Sequence, residues 1–262
     1  MSALPDRAFL RQLAALAAAE TLPRFRTAVG VDNKLAQGFD PVTEADRAAE
    51  RVIRAAIRAR FADHGIVGEE YGAELADAEH VWIIDPIDGT RAFVSGVPVW
   101  GTLVGLTTQG RATHGMMAQP FTGELFVADE GGAYLEHGGK ETPLVTRKGV
   151  GLGEAVMFTT TPALFTGARR EAYESVERTV RLARYGCDCY AYALLSAGHV
   201  DLVVETGLQS YDIAGLIPLI EKAGGVVTTW AGARAEGGGD IVAAGSPEIH
   251  AAAIAMLRDA AG

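Results

Sequence analysis

Two stretches near the start of the chain carry apolar residues at helical spacing. Between residues 6 and 22 the apolar positions, such as Phe9 and Leu13, recur every three or four residues until a proline follows. Between roughly residues 43 and 62 the apolar positions lie on one face and arginines on the other, and Thr43 is placed to cap the start. Both stretches therefore predict amphipathic helices that pack on a core.

The period changes further along the chain. Between residues 81 and 137, short strand-like runs alternate with Gly, Pro and polar turns, which predicts an antiparallel meander. Beyond residue 148 strand-like and helical runs alternate. We therefore expect a layered α+β/α/β sandwich, in which residues 1–145 form an antiparallel sheet with helices and residues 146–262 form a mixed sheet with flanking helices.

The composition narrows the class of protein. Of the 262 residues, 48% are hydrophobic and 21% are charged, which is ordinary for one compact unit or two closely packed halves. The net charge of −10 disfavours nucleic acid and anionic membranes as partners. No run approaches 18 apolar residues, and the first nine residues lack the pattern of a signal peptide. We therefore expect a soluble, cytoplasmic protein.

The two cysteines, Cys187 and Cys189, are separated by one residue. That spacing is awkward for a disulfide, and a zinc site would need further ligands that the six histidines do not offer at a suitable spacing. A nucleophilic cysteine of a phosphatase would need an arginine six residues later, which neither has. We therefore assign both thiols to the fold.

The most informative segment is WIIDPIDGT, residues 82–90. An apolar run predicts a strand that delivers Asp85 at its end, and the proline and glycine after it predict a turn into a helix start. Asp85 and Asp88 would then face one point, beside backbone N–H groups that bind phosphate readily. Alone, however, this pattern also fits two plain turn or capping residues.

Two further acidic segments change the balance. Glu69 and Glu70 follow Gly68 after an apolar pair, and Asp212 opens an apolar helical stretch far downstream. Two carboxylates ~5 Å apart repel by roughly 3 kcal/mol at an effective dielectric near 20. A site that gathers these acids therefore requires cations.

Taken in order, the GEE, WIIDPIDGT and YDI segments resemble those of the inositol-monophosphatase-like family of metal-dependent phosphomonoesterases. All-oxygen ligands suit a hard cation such as Mg²⁺. The resemblance implies that two or three Mg²⁺ ions are held by Glu69, Asp85, the Ile87 carbonyl, Asp88 and Asp212. It also implies phosphate contacts from Asp88, Gly89 and Thr90, and a homodimer.

The segment DPVTEAD, residues 40–46, matches the family as well. The resemblance implies that Asp46 and the Thr90 hydroxyl orient and deprotonate the attacking water, with Glu69 also in the catalytic set. Metal-activated water would then attack phosphorus in line, without a covalent phosphoenzyme. The plain alternative is that Asp46 only caps its helix.

The stretch from Arg184 to Glu205 looks like the histidinol-phosphate phosphatase branch of the family. The resemblance places Asp188 and Glu205 beside the alcohol part of the substrate, where two acids suit the cationic groups of histidinol phosphate. Alternatively, Asp188 caps a helix that begins around Cys189. The tyrosines on that helix, Tyr190 and Tyr192, are expected in the core.

Other functions remain open at this point. Within catalysis, the alternative is an inositol-1-phosphate phosphatase or a broad-specificity phosphomonoesterase. From another class, a non-catalytic scaffold would be expected to lose metal carboxylates, and none is missing here. Pro218 lies six residues into the helix that Asp212 would open, so the start or axis of that helix is not determined.

Overall fold

A computed structural model describes residues 4–27, 31–33 and 41–261. Asp40, which belongs to the DPVTEAD segment, lies outside these described residues. The helices are α1 (Arg7–Thr21), α2 (Glu44–Arg60), α3 (Thr90–Val94), α4 (Gly167–Thr179), α5 (Asp188–Ser196), α6 (Ser210–Ile213), α7 (Ile217–Lys222) and α8 (Pro247–Leu257). The strands are β1 (Val31–Asn33), β2 (Pro41–Thr43), β3 (Gly65–Gly68), β4 (Gly72–Glu74), β5 (His80–Asp88), β6 (Gly101–Thr108), β7 (Arg111–Gln119), β8 (Glu124–Asp129), β9 (Gly132–His137), β10 (Lys140–Pro143), β11 (Val156–Thr159), β12 (Leu182–Tyr185), β13 (Leu202–Leu208), β14 (Val226–Thr229) and β15 (Gly239–Ala244).

The elements stack in five layers, which confirms the predicted layered sandwich. Helices α1 and α2 cover one face of an eight-stranded sheet, and α5, α6 and α7 cover its other face. The same central helices also pack on a five-stranded sheet, whose far face is covered by α4 and α8. Alternate residues along the strands serve the two faces, so each sheet contributes to two cores.

The first sheet has the order β10-β9-β8-β7-β6-β5-β3-β4. Strands β5 to β9 form the predicted antiparallel meander, and β10, which was not predicted, extends it by one antiparallel strand. One pair departs from the prediction, because β3 and β5 are parallel. The reason is the position of β4, which pairs antiparallel with β3 at the edge of the sheet. The chain then crosses to the other side of β3, where β5 runs in the same direction as β3. The turn after β3 and the end of β5 thereby meet at one edge.

The second sheet has the order β12-β11-β13-β15-β14 and is mixed, as predicted. Strand β11 pairs in parallel with both β12 and β13, and β15 is antiparallel to both of its neighbours. Since the carboxyl ends of parallel strands share an edge, Thr159 at the end of β11 lies near Glu205 in β13. The division of the chain near residue 145 stays a prediction, since α7 packs on strands of both sheets.

Local signals set the starts of α1, α2 and α7. Asp6 and Thr43 cap α1 and α2 through their side chains, as the sequence predicts for Thr43. Pro218 is no anomaly, because the predicted single helix is two helices and the proline lies in the first turn of α7, where its missing N–H costs nothing. Among the described helices, none is both long and apolar enough to cross a membrane.

Candidate active site

The turn after β5 builds one wall of the site. Asp85 is buried, and its Oδ1 accepts the backbone N–H of Ile87 at 3.0 Å, so it is a turn residue as well as a candidate ligand. Gly89 has a left-handed φ of +83°, which only glycine adopts without strain. Thr90 then begins α3 and donates its hydroxyl to the Ile87 carbonyl at 3.0 Å. The strand, turn and helix start follow the sequence prediction.

Three acids from separate parts of the chain converge at this turn. Asp85, Asp88 and Asp212 each place a carboxylate oxygen within 4.8 Å of the other two. Glu69 lies in the turn after β3, and its backbone N–H donates to the Ile84 carbonyl at 3.1 Å, next to Asp85. Its carboxylate also contacts that of Asp85. The parallel pairing of β3 with β5 is what brings these two acids together.

The electrostatics of this cluster suit a bound cation. Burial, followed by the charges of Glu69, Asp88 and Asp212, raises the pKa of Asp85 well above its usual value. Burial and the charges of Asp188 and Asp212 likewise raise the pKa of Asp88 well above its usual value. Carboxylates that repel one another in a buried place are stabilised by hard divalent ions, which prefer oxygen ligands. The donor set therefore fits Mg²⁺.

Asp88 also joins this wall to the central helices. Its Oδ2 accepts the backbone N–H of Cys189 at 2.6 Å, so an acid 101 residues away caps the first turn of α5. The predicted alternative, in which Asp188 caps a helix starting near Cys189, is wrong, because α5 already includes Asp188 and the Cys189 N–H is bonded to Asp88. The capping acid is supplied by a different segment, which no local pattern signals.

Asp46 lies at the start of α2 with a different set of partners. Its Oδ2 accepts both the backbone N–H and the hydroxyl of Thr43, at 2.8 Å and 2.6 Å, which completes a capping box. Burial raises the pKa of Asp46 to about 6, and the charge of Glu69 contributes to the rise. The capping role is thus present, and the cooperation of Asp46 with Thr90 stays a prediction.

The opposite wall carries the two acids predicted to face the alcohol. Glu205 is 2% exposed and accepts the Thr160 N–H at 2.6 Å and the hydroxyls of Thr159 and Thr160 at 3.2 Å and 3.1 Å. Burial raises the pKa of Glu205 to about 8. Burial also raises the pKa of Asp188, against a hydrogen bond from Thr160 and the charge of Arg91. Glu205 is thus withdrawn from bulk water, and Asp188 is half-buried.

The two walls enclose one cavity of about 630 Å³, a size that suits a small organic ligand. All three acids of the cluster line it, and so do Glu69 and both acids of the opposite wall. A Cβ atom on Gly89 would lie 2.8 Å from Asp188 Oδ2, so the two walls touch at this point. The cavity therefore joins the candidate cation site to an adjoining acidic subsite, made of Asp188 and Glu205.

The chain matches the model of the inositol monophosphatase family over residues 5–261. It belongs to that family. It is 40% identical over 231 residues to the bifunctional phosphatase IMPL2, chloroplastic, of Arabidopsis thaliana. The aligned region covers 84% of this chain and 66% of that relative, so the chain spans just under two thirds of the relative's length. It is 34% identical to a histidinol-phosphatase of Chlorobaculum parvum, over 84% of each chain. A solved inositol monophosphatase from Zymomonas mobilis is 36% identical over 95% of this chain and 96% of that one, with a TM-score of 0.84.

In this member of the inositol monophosphatase family, the cavity is also lined by residues for which the sequence predicted no role in the site. Thr160 follows β11, Arg91 lies in α3, and Tyr192 lies one turn after Asp188 in α5. The hydroxyl of Tyr192 has no hydrogen-bond partner among the described residues, whereas Tyr190 donates to Glu124 at 2.7 Å. Only Thr160 had a usable signal, namely a polar residue directly after a strand in an alternating half.

The remaining predicted side chains keep the places assigned to them. Tyr192 is 3% exposed and packs in the central core, and Tyr190 packs against the same core. The two cysteines are free thiols, with Cys189 buried beside Asp88. Burial raises the pKa of both thiols, which disfavours the nucleophilic thiolate.

Proposed function

We propose that the protein hydrolyses a small phosphate monoester with Mg²⁺, and that this ester is L-histidinol phosphate, giving L-histidinol and phosphate in histidine biosynthesis. One observation carries the choice of ester. Glu205, which is buried, and Asp188, which is half-buried, form an acidic subsite that adjoins the predicted metal ligands in the same cavity. A cationic alcohol stabilises the ionised form of these two acids, whereas a neutral alcohol does not.

The residues proposed to hold two or three Mg²⁺ ions are Glu69, Asp85, the Ile87 carbonyl, Asp88 and Asp212. When bound, Mg²⁺ supplies Lewis-acid activation of water and neutralises charge on the phosphate. Asp46 is proposed as the base, because a pKa of about 6 leaves it ionised at pH 7 and able to take a proton. Asp88, Gly89 and Thr90 are proposed to contact the phosphate at the turn after β5.

A second candidate is an inositol-1-phosphate phosphatase or a broad phosphomonoesterase. It is favoured by the identity to the Zymomonas mobilis inositol monophosphatase, 36%, which is as high as that to the histidinol-phosphatase. Asp188 distinguishes the two candidates, because it faces the cavity without belonging to the cluster of three acids.

The test compares kcat/KM for histidinol phosphate, inositol-1-phosphate and glycerol 2-phosphate in the wild type and in Asp188→Ala. Truncating one partner of a buried charge pair typically costs about 2–5 kcal/mol, or roughly thirty- to several-thousand-fold. We expect that loss for histidinol phosphate and little change for glycerol 2-phosphate. Asp259→Ala, which removes an exposed acid near the carboxyl terminus, is the control and should change neither.

Two results would contradict the proposal. If Asp188→Ala slows all three esters equally, Asp188 does not select the substrate, and the second candidate is favoured. If the wild type releases no phosphate from any of the esters when Mg²⁺ is added, the proposed activity itself is wrong.

A further inference from the structure

Glu50 is a fully buried carboxylate on α2 that faces the turn carrying Glu69. It lies four residues after Asp46 and therefore on the same side of the helix. Its Oε2 accepts the backbone N–H of Glu70 at 2.7 Å, and its Oε1 accepts that of Tyr71 at 3.2 Å. The carboxylate is thus bonded to the two backbone amides that directly follow Glu69.

Arg54 completes this contact from the next turn of α2. Its Nε donates to Glu50 Oε1 at 2.7 Å, and its guanidinium also donates to the Gly72 carbonyl and to Glu74 Oε1, the latter at 3.0 Å. The arginine therefore neutralises the buried acid and holds the far end of the same turn. Together the two side chains attach residues 70–74 to α2.

Gly68, at the start of the same turn, also packs closely against Glu50. A Cβ atom on Gly68 would overlap with the Glu50 carboxylate, so only glycine permits this approach. Glu69 itself donates its backbone N–H to Ile84 in β5, and its side chain contacts Asp85. Glu69 is therefore fixed between β5 on one side and Glu50 on the other.

A buried ion pair is weak evidence of stability, because desolvation of the two charges offsets most of their attraction. This pair, however, forms hydrogen bonds to the backbone of a turn that carries a candidate metal ligand, Glu69. We propose that Glu50 is a positioning residue for the metal site, which holds the Glu69 carboxylate in line with Asp85 before an ion binds. Glu50 does not touch the ion, and the inference rests on the Mg²⁺ site of the proposed function.

The test measures the Mg²⁺ dissociation constant by titration calorimetry in the wild type and in Glu50→Gln. Glutamine keeps the shape but loses the charge and one of the two acceptor oxygens. Loss of a residue that orients a ligand typically weakens metal binding by about 10- to 100-fold. We expect a shift of about tenfold or more in the dissociation constant and in the Mg²⁺ concentration for half-maximal activity. At saturating Mg²⁺ kcat should stay within about threefold of the wild type, because the reacting groups are unchanged.

Asp201→Asn is the matched control. Asp201 is also fully buried, pairs with Arg147 Nε at 2.7 Å and accepts the Val156 N–H at 2.7 Å, but the backbone that it holds carries no candidate metal ligand. Both variants should lower Tm, and only Glu50→Gln should weaken Mg²⁺ binding. If Glu50→Gln does not fold, Glu50→Asp withdraws the carboxylate from the two amides while keeping the charge, and the same shift in Mg²⁺ affinity is expected.

A lower Tm with wild-type Mg²⁺ affinity in these Glu50 variants would overturn the inference, because the pair would then be purely structural. The failure of the proposed function gives a different result. In that case the wild type itself would show no Mg²⁺ binding. If only this inference fails, the wild type binds Mg²⁺ and the Glu50 variants bind it with the same affinity.

Discussion

Asp188 has a left-handed φ of +42°, a conformation that residues with a side chain seldom adopt. Such a backbone costs about 1–3 kcal/mol and persists only where the surroundings impose it. Here the surroundings are the Thr160 hydrogen bond, the charge of Arg91 and the adjacent Gly89. The sequence pointed to Asp188 only through a family resemblance, because neither its φ nor its partners can be predicted from the residues around it in the sequence.

Glu205 gives a prediction at the same scale, on the pH dependence of stability. Its pKa is about 8 in the folded protein against an ordinary value of 4.5, so between these values the folded state keeps a proton that the unfolded chain releases. The stability that this proton contributes is complete below pH 4.5 and is lost as the pH rises through 8. Glutamine cannot titrate and lacks this dependence.

We therefore expect the free energy of unfolding of the wild type, minus that of Glu205→Gln, to fall with pH between about 5 and 8. The slope should approach about 1.4 kcal/mol per pH unit at most. Urea unfolding in EDTA at several pH values measures it. A difference that is flat over this range would show that Glu205 is ionised in the folded protein, and the buried-acid description of the subsite would be wrong.

Among the elements, α2 and α5 differ in how their starts could be predicted. Thr43 lies three residues before Asp46, so the capping box of α2 is a local pattern that the sequence reveals. The first turn of α5 is capped by Asp88 from another layer, and no window around residue 188 contains that information. The same holds for the parallel pairing of β3 with β5, which depends on where β4 folds back.

The cap of α2 is tested by comparing two threonines at helix starts. Thr43 is buried and accepts the Ala45 N–H at 3.1 Å, whereas Thr166 at the start of α4 is exposed and its side chain makes no capping bond. Thr43→Ala should lower the free energy of unfolding by about 1–2 kcal/mol. Thr166→Ala, as the control, should change it by less than about 0.5 kcal/mol. Equal losses in the two variants, measured by urea unfolding, would refute the capping role of Thr43.

On the scale of the whole molecule, the site lies where the first sheet meets the central helices. Asp85 and Asp88 come from the end of β5, and Asp212 comes from α6 in the middle layer. The acidic segments themselves were predictable, because each follows an apolar run and stands beside a turn signal. The distance between these acids could not be predicted from the sequence, since it depends on how β5 and α6 pack against each other.

This arrangement predicts that divalent ions stabilise the fold as a whole. Without ions, burial and mutual repulsion raise the pKa values of Asp85 and Asp88, so the metal-free protein loses stability as the pH rises and these acids ionise. An ion that binds only the folded state adds about 2.7 kcal/mol at a hundredfold excess over its Kd. For a chain of this size that corresponds to a rise in Tm of roughly 5–10 °C between EDTA and millimolar Mg²⁺.

Asp212→Asn separates this effect from unspecific salt stabilisation. Removing one of the three charges relieves repulsion, so the variant should melt at or above the wild-type Tm in EDTA, while its gain from Mg²⁺ should largely disappear. Scanning calorimetry at pH 8, where repulsion is strongest, with NaCl added to match ionic strength, makes the comparison. If Mg²⁺ raises the Tm of the variant as much as that of the wild type, the ions bind elsewhere, and the three acids do not form the metal site.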